Sequence, residues 1–237
     1  MKGKILAVAV LTLVSTVLAV ASNPVYEAAA KTTHHIWMNT FLDRASCSAT
    51  AIGPHALLTA SHCEEPTDKV LVDGDETRVL GILRDDKDHS ILLVEQHFTR
   101  YASFATEKPK QGDDVFIFGN PAGKLGIFRK GYVAGFDKQA TNFLEEAFGG
   151  GEDEIYYDFN GWMGDSGGAI FDATGKIQAV VSVADLTPSR SKDWPTFKLM
   201  GAFPLAFTPE QIKQATAFLP GPSEKKPVQI SVFPSQK

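Results

Sequence analysis

An all-β architecture of short strands, a barrel or a sandwich, is what this chain of 237 residues predicts. Three observations carry that expectation. The apolar runs are short, turn residues punctuate them at close intervals, and a single good helical segment comes only near the end. A composition 43% hydrophobic and 22% charged suits one compact domain, or two barrels sharing a core, rather than a disordered or fibrous chain. The formal charge of −5 argues against a nucleic-acid partner and decides little else.

The first element is a leader. Lys2 and Lys4 precede the apolar run Ile5 to Val20, and Ala19-Val20-Ala21 has the small-x-small form cut by signal peptidase. The run is short for a membrane span, so residues 1–21 read as a cleaved secretory signal, with the mature chain starting near Ser22. The expected protein is secreted or periplasmic, without stable membrane association after cleavage. Strands follow at Ser48–Ile52, Ala56–Thr59, Val70–Val72, Thr77–Leu83, Ser90–Val94, Val115–Phe118, Phe128–Ala134, Ile155–Asp158, Ala169–Phe171, Ile177–Val183 and Lys198–Phe203. Breaks fall at Val72-Asp73-Gly74-Asp75, Asn120-Pro121-Ala122-Gly123 and Asp172-Ala173-Thr174-Gly175. The late helix starts with Thr208 as N-cap, Pro209 in its first turn and Gln211 completing a capping box, then runs from Ile212 to Phe218. Residues 22–219 thus form the domain, and 220–237 a Pro- and Lys-containing tail, read as loose rather than docked and too short for a PDZ domain.

Two runs carry chemistry. In Gly164-Asp165-Ser166-Gly167-Gly168 a serine lies between glycines. A serine hydroxyl is a weak nucleophile and needs a base, plus donors aimed at the oxygen that becomes negative during acyl transfer. Glycine lets the N–H groups of Gly164 and Ser166 point into one small hole and lets substrate backbone pass close by. The other run, Thr59-Ala60-Ser61-His62-Cys63, sets a histidine beside a cysteine. Cys47 is the only other cysteine, and the two are 63 − 47 = 16 positions apart. A bridge closing such a loop would contribute on the order of 3 kcal/mol and would fix the histidine's backbone. Two buried free thiols are the alternative on these residues alone.

With T-A-S-H-C at 59–63, the Cys47 to Cys63 spacing, and G-D-S-G-G at 164–168, the chain resembles the trypsin-like, chymotrypsin-fold serine peptidases from about Cys47 to Phe218. The order histidine, aspartate, serine separates it from subtilisin-like and α/β-hydrolase enzymes. The resemblance implies two six-stranded antiparallel Greek-key barrels with a C-terminal helix, and a Cys47–Cys63 disulfide. It implies a serine-type endopeptidase acting on protein or peptide, with Ser166 as nucleophile, His62 as general base and the N–H groups of Gly164 and Ser166 as oxyanion hole. The orienting acid would lead a D-x-A-L-L type strand, and Asp88-His89-Ser90-Ile91-Leu92 fits that register. Asp88 is therefore the expected acid and Asp86 the alternative, since a shift of two keeps the strand face. Asp85 and Asp86 otherwise read as a solvated charged turn, and His34, His35, His55, His89 and His97 as surface or satisfied histidines. By register Asn160 sits at the base of the pocket for the side chain before the scissile bond. Ser182, Val183 and Ala184 would form its wall, with Gly201 and Phe203 behind. An uncharged Asn160 does not support Lys or Arg preference, and Val181 is not the histidine of glutamyl-specific members; a small-to-medium uncharged side chain is expected. No cofactor or metal is implied, because no His/Cys/Asp/Glu cluster has ligand spacing. A catalytically silent binding module, or an esterase using the same residues, are the other functions these motifs allow.

The G-N-P-x-G run at 119–123 looks like the bacterial HtrA-like and glutamyl-endopeptidase-like branch. Asp165 departs from HtrA-like enzymes, which usually carry asparagine there. In the digestive branch that aspartate pairs with a freshly cut N-terminus, yet no Ile-Val-Gly-Gly follows a basic residue in this chain. The expected partners of Asp165 are Arg44, Lys31 or the new amine near Ser22. The acidic segment Asn142 to Glu154 reads as a solvated loop rather than a site for basic substrates.

Overall fold

The structure, a computed structural model, describes residues 23–39, 44–64, 68–85, 87–137, 154–185 and 199–221. The leader, Asp86, nearly all of the acidic segment and most of the tail lie outside the described residues.

The first sheet closes on itself. Its strands β1 (Thr33–Asn39), β2 (Arg44–Gly53), β3 (Ala56–Ala60), β4 (Lys69–Val72), β5 (Asp75–Arg84) and β6 (His89–Val94) run in the order β1-β2-β3-β6-β5-β4, and β1 returns to β4 with Ile36 opposite Val72. Alternation along β5 buries Thr77, Val79, Gly81 and Leu83, whereas every residue of β3 and β6 is buried. Strands buried on both faces read as continuous apolar runs, which is why Ala56–Thr59 and Ser90–Val94 stand out in the sequence.

The second sheet contains β7 (Asp114–Gly119), β8 (Ile127–Asp137), β9 (Glu154–Asp158), β10 (Ala169–Phe171), β11 (Ile177–Val180), β12 (Val183–Asp185) and β13 (Leu199–Ala202), in the order β11-β10-β7-β8-β9-β13-β12. Its two edges, β11 and β12, are one passage of chain interrupted at Val181 and Ser182. The sheet therefore curls round to its own starting strand, a second six-stranded barrel with one strand split. The sequence predicted that passage unbroken from Ile177 to Val183.

The predicted helix is present as α2 (Pro209–Thr216), with both bonds of the capping box: Gln211 N donates to Thr208 Oγ1 (3.2 Å) and Thr208 N to Gln211 Oε1 (2.8 Å). It lies on β2 so closely that a Cβ on Gly53 would sit 2.8 Å from the Thr216 Cα.

Two elements were not expected. Helix α1 (Pro24–Thr32) is capped by Asn23 Oδ1, which accepts from Val25 N (2.9 Å), and has proline in its first turn. It buries Val25 and Ala29, and Tyr26 packs edge-on to Phe118 and Phe128. Strand β1 hid because Thr33, His34, His35 and Asn39 make it mostly polar. His35 is buried against Ser46 Oγ (2.8 Å), and its burial, opposed by the charge of Asp73, lowers its pKa. His34 Nδ1 meets Asp73 Oδ2 (2.7 Å), while its buried Nε2 has no hydrogen-bond partner among the described residues.

One apolar cluster joins the barrels. It runs from Leu57, Leu58 and Leu92 of the first to Phe116, Phe118 and Phe171 of the second, while Ile117, Val133, Tyr157 and Ile170 fill a separate core of the second barrel. Tyr157's hydroxyl has no hydrogen-bond partner among the described residues, and its burial raises its pKa well above the ordinary phenol value.

Candidate active site

Strands β3 and β6 pair antiparallel, with Thr59 opposite Ser90 and Ala60 opposite His89. The residues just past the end of β3 and just before the start of β6 must therefore meet at one edge of the first barrel, and these are His62 and Asp88. The Asp88 carboxylate grips the histidine twice: Oδ2 lies 2.6 Å from Nδ1, and Oδ1 accepts from the His62 backbone N–H (3.0 Å). Ser61 N also donates to the Asp88 carbonyl (3.0 Å). A carboxylate only accepts, so Nδ1 carries the proton and Nε2 is left with its lone pair. The ring is 45% exposed and Asp88 24%.

The serine arrives from the second barrel, on the turn before β10, and is docked on the first. Ser48 N on β2 donates to the Ser166 carbonyl (2.8 Å). Gly167 sits so close to β3 that a Cβ there would lie 2.1 Å from Thr59 Oγ1. The Cys47–Cys63 disulfide, with Cα atoms 6.1 Å apart, then links the neighbour of Ser48 to the neighbour of His62. The turn carrying the serine and the segment carrying the histidine are thus tied to one short piece of β2.

The amides beside Ser166 are set by a polar cluster that the sequence did not reveal. Gly164 has φ +100°, a left-handed conformation that suits glycine, and a Cβ on it would lie 2.4 Å from the Asn120 carbonyl. Ser48 Oγ donates to the Gly164 carbonyl (2.8 Å) and accepts from Asn120 N and Nδ2 (both 3.1 Å), all three residues being buried. Asn120 Oδ1 accepts from Gly126 N (3.1 Å). With the Gly164 carbonyl turned inward, the N–H groups of Gly164 and Ser166 donate to no acceptor among the described residues. The G-N-P run, noticed only as a family hint, is the one signal that could have found Asn120.

Asp165 is wholly buried, and its partner corrects the expectation. Lys31 does not pair with it, and the Arg44 side chain and the amine near Ser22 lie outside the described residues. Arg129 of β8 pairs with it, through Nη1 to Oδ2 (2.7 Å) and Nη2 to Oδ1. Lys31 instead pairs with Glu27 (2.7 Å).

Asp85 is the other correction. It is not a solvated turn residue: its side chain is 2% exposed, Oδ2 lies 2.6 Å from His89 Nδ1, and it accepts from the amides of Lys87, His89 and Ala206. Burial pushes its carboxyl pKa up, but the His89 hydrogen bond and charge with the amide bonds outweigh this and hold it below the ordinary range.

The predicted pocket residues are only partly brought together. Asn160 is exposed and its carbonyl accepts from Arg129 Nη1. Ser182 is half-buried at the break between β11 and β12, with Oγ donating to the Val180 carbonyl (3.3 Å). Ala184 pairs with Met200, and Gly201 is buried in β13 opposite Val183 and Tyr156. Val181 is packed in the second core.

Two Greek-key barrels that bring a carboxylate-held histidine and a glycine-flanked serine to their seam define the class of chymotrypsin-like serine peptidases. The trypsin-like peptidase domain family matches residues 47–180, and the chain belongs to that family. Among solved structures it is similar to the Rv3671c protease of M. tuberculosis in its active form, with 19% identity over 94% of this chain and 97% of that one and a TM-score of 0.65. It is also similar to the serine endoprotease of Yersinia pestis, at 19% identity over 77% of this chain and 61% of that one with a TM-score of 0.57. The HtrA-type protease AlgW with tripeptide matches at 19% identity over 82% of this chain and 63% of that one, with a TM-score of 0.62. Identities this low speak for the fold alone. No curated protein matches the chain by sequence.

Proposed function

We propose that the protein is an exported endopeptidase that cleaves peptide bonds through an acyl-enzyme on Ser166. The observation that carries this reading is the double grip of Asp88 on His62, which directs the Nε2 lone pair to proton abstraction. In the first half-reaction His62 Nε2 takes the Ser166 hydroxyl proton while Oγ attacks the substrate carbonyl carbon. The carbonyl oxygen becomes an alkoxide and is stabilised by the N–H groups of Gly164 and Ser166. The imidazolium, stabilised by Asp88, then gives its proton to the leaving amine as the C–N bond breaks. In the second half-reaction water, deprotonated by the same Nε2, attacks the acyl carbon. The acid is released and Ser166 recovers its proton.

By motif register Asn160 would present an uncharged amide at the pocket base, a reading that favours small-to-medium uncharged side chains before the scissile bond. The disulfide supports an oxidising destination, periplasmic or extracellular.

Covalent labelling with a fluorophosphonate tests the reading. The processed protein takes up one label, and Ser166→Ala removes it while lowering peptide turnover on the order of 10⁴- to 10⁶-fold. A folded protein with no Ser166-dependent label is instead a binding module. One that labels and turns over esters but no amide is an esterase.

A further inference from the structure

We propose that Glu64 is a positioning residue for the His62–Asp88 pair: it ends a chain of hydrogen bonds that fastens the turn carrying His62 to the strand led by Asp88. The inference rests on the reading of His62 as base and Asp88 as its orienting acid.

His62 is the middle residue of a single 3-10 turn, Ser61–Cys63, and three side chains flank the pair: Ser61 just before His62, Glu64 two residues after it, and Ser90 two residues after Asp88. They are joined to one another. Ser90 is wholly buried, and its Oγ donates to Glu64 Oε1 (2.8 Å). Ser61 Oγ lies 2.9 Å from Ser90 Oγ, and because a hydroxyl has only one proton to give, Ser61 is the donor there. The carboxylate thus sets the direction of the whole chain, from Ser61 to Ser90 to Glu64, and each bond polarises the next. Arg84 Nε donates to the same Oε1, from the residue opposite Ser90 in the β5–β6 ladder. Glu64 N returns to the Ser61 carbonyl (3.1 Å), which closes the chain into a ring. One carboxylate therefore ties the His62 turn to β6 and to β5 beyond it.

Two observations separate this arrangement from an ordinary surface ion pair. The Glu64 side chain is 4% exposed against 43% for Arg84, so the acid gives up its water for one cation that keeps much of its own. Its second oxygen, Oε2, is buried with no hydrogen-bond partner among the described residues. A carboxylate buried on those terms is a poor source of net stability. What it supplies is direction. Without Oε1 the Ser90 proton is free to turn, the ring opens, and the His62 turn keeps only its contacts with Asp88 and the disulfide. A displacement of about 1 Å in a base is enough to slow a reaction on the order of 10²-fold.

The test compares the wild-type chain with E64A, E64Q, S90A and the double variant E64A/S90A, each checked for folding by circular dichroism. E64A and S90A are each expected to lower kcat by about 10- to 100-fold while KM stays within about threefold, because a displaced base weakens the transition state and not substrate binding. The double variant is expected to lose no more than the slower single one, since both substitutions open the same chain. E64Q recovers about threefold or more of the E64A loss, because its amide oxygen still accepts from Ser90 Oγ. In the low-field proton spectrum the Nδ1 resonance of His62, identified by its absence in His62→Ala, shifts or broadens in E64A, while that of His89 on Asp85 stays in place. Folded E64A and S90A that match wild type in kcat overturn this inference alone, as does a double variant whose losses multiply. Wild type without a Ser166-dependent fluorophosphonate label overturns the peptidase reading and the inference with it. Should E64A fail to fold, S90A decides, since it removes a single hydroxyl from the same chain: kcat equal to wild type overturns the proposal.

Discussion

Two aspartate–histidine pairs meet at the entrance to β6, three residues apart in the chain, and they share a contact of 2.6 Å from carboxylate to Nδ1. Asp88 holds His62 at the rim of the barrel with 45% of the histidine exposed. Asp85 holds His89 against Phe207, with His89 wholly buried and its Nε2 without a hydrogen-bond partner among the described residues. On the proposed reading, identical chemistry yields a base in one place and a strut in the other. The second nitrogen decides: a histidine works on substrate only if its Nε2 faces a group that can enter and leave, and the inner histidine is wholly buried with Phe207 against its ring. Proximity of aspartate to histidine is therefore a poor marker of catalysis without exposure.

Substitutions that separate the two pairs break or sharpen this contrast. Asp88→Asn is expected to have the largest effect, a fall in kcat on the order of 10⁴-fold from loss of the correct tautomer, with thermal stability nearly unchanged; stopped assays beside thermal melts check both halves. Removing the disulfide as C47A/C63A is expected to cost about 3 kcal/mol by urea titration, and to lower turnover as well because the bridge ends beside His62 and not beside His89. Asp85→Asn is expected to do the reverse of Asp88→Asn, with roughly 2–3 kcal/mol lost in urea titration and kcat of the folded fraction within a few-fold of wild type.

The inner pair also has a pH signature. Because the folded-state pKa of Asp85 is depressed, its contribution is present above the unfolded value of about 4 and disappears as pH falls through the folded value. Wild type should therefore lose more stability than Asp85→Asn on going from pH 5 to pH 2, and equal slopes would contradict the assignment. The smallest effect is expected from Thr208→Ala, about 1 kcal/mol, which loosens α2 behind Ala206 and leaves both pairs in place.

The outer pair was legible in the sequence and the inner one was not, for physical reasons. The proposed acyl transfer demands particular residue types, so its candidates His62, Asp88 and Ser166 stand out by kind, order and glycine context, and the structure pairs the first two. Asp85 lies in the charged run Arg84-Asp85-Asp86-Lys87-Asp88, which reads as solvated, and one of its covers, Ala206, comes 121 residues later. Arg129 hid in the same way: Phe128-Arg129-Lys130 looks like a strand with two surface bases until β8 is laid beside β7 and over the turn at Asp165. The barrels were legible wherever strands are apolar on both faces. They were not at β1, whose two histidines bond Asp73 and Ser46, nor at Val181-Ser182, where local sequence gives no cue that one strand leaves a sheet by one edge and rejoins it by the other.

Gly119 shows what a missing side chain can hold. Its vacancy, at the end of β7, is filled by the Asp165 carboxylate and the Arg129 guanidinium, ten positions on in β8, so any larger residue there would have to displace one of two buried charges.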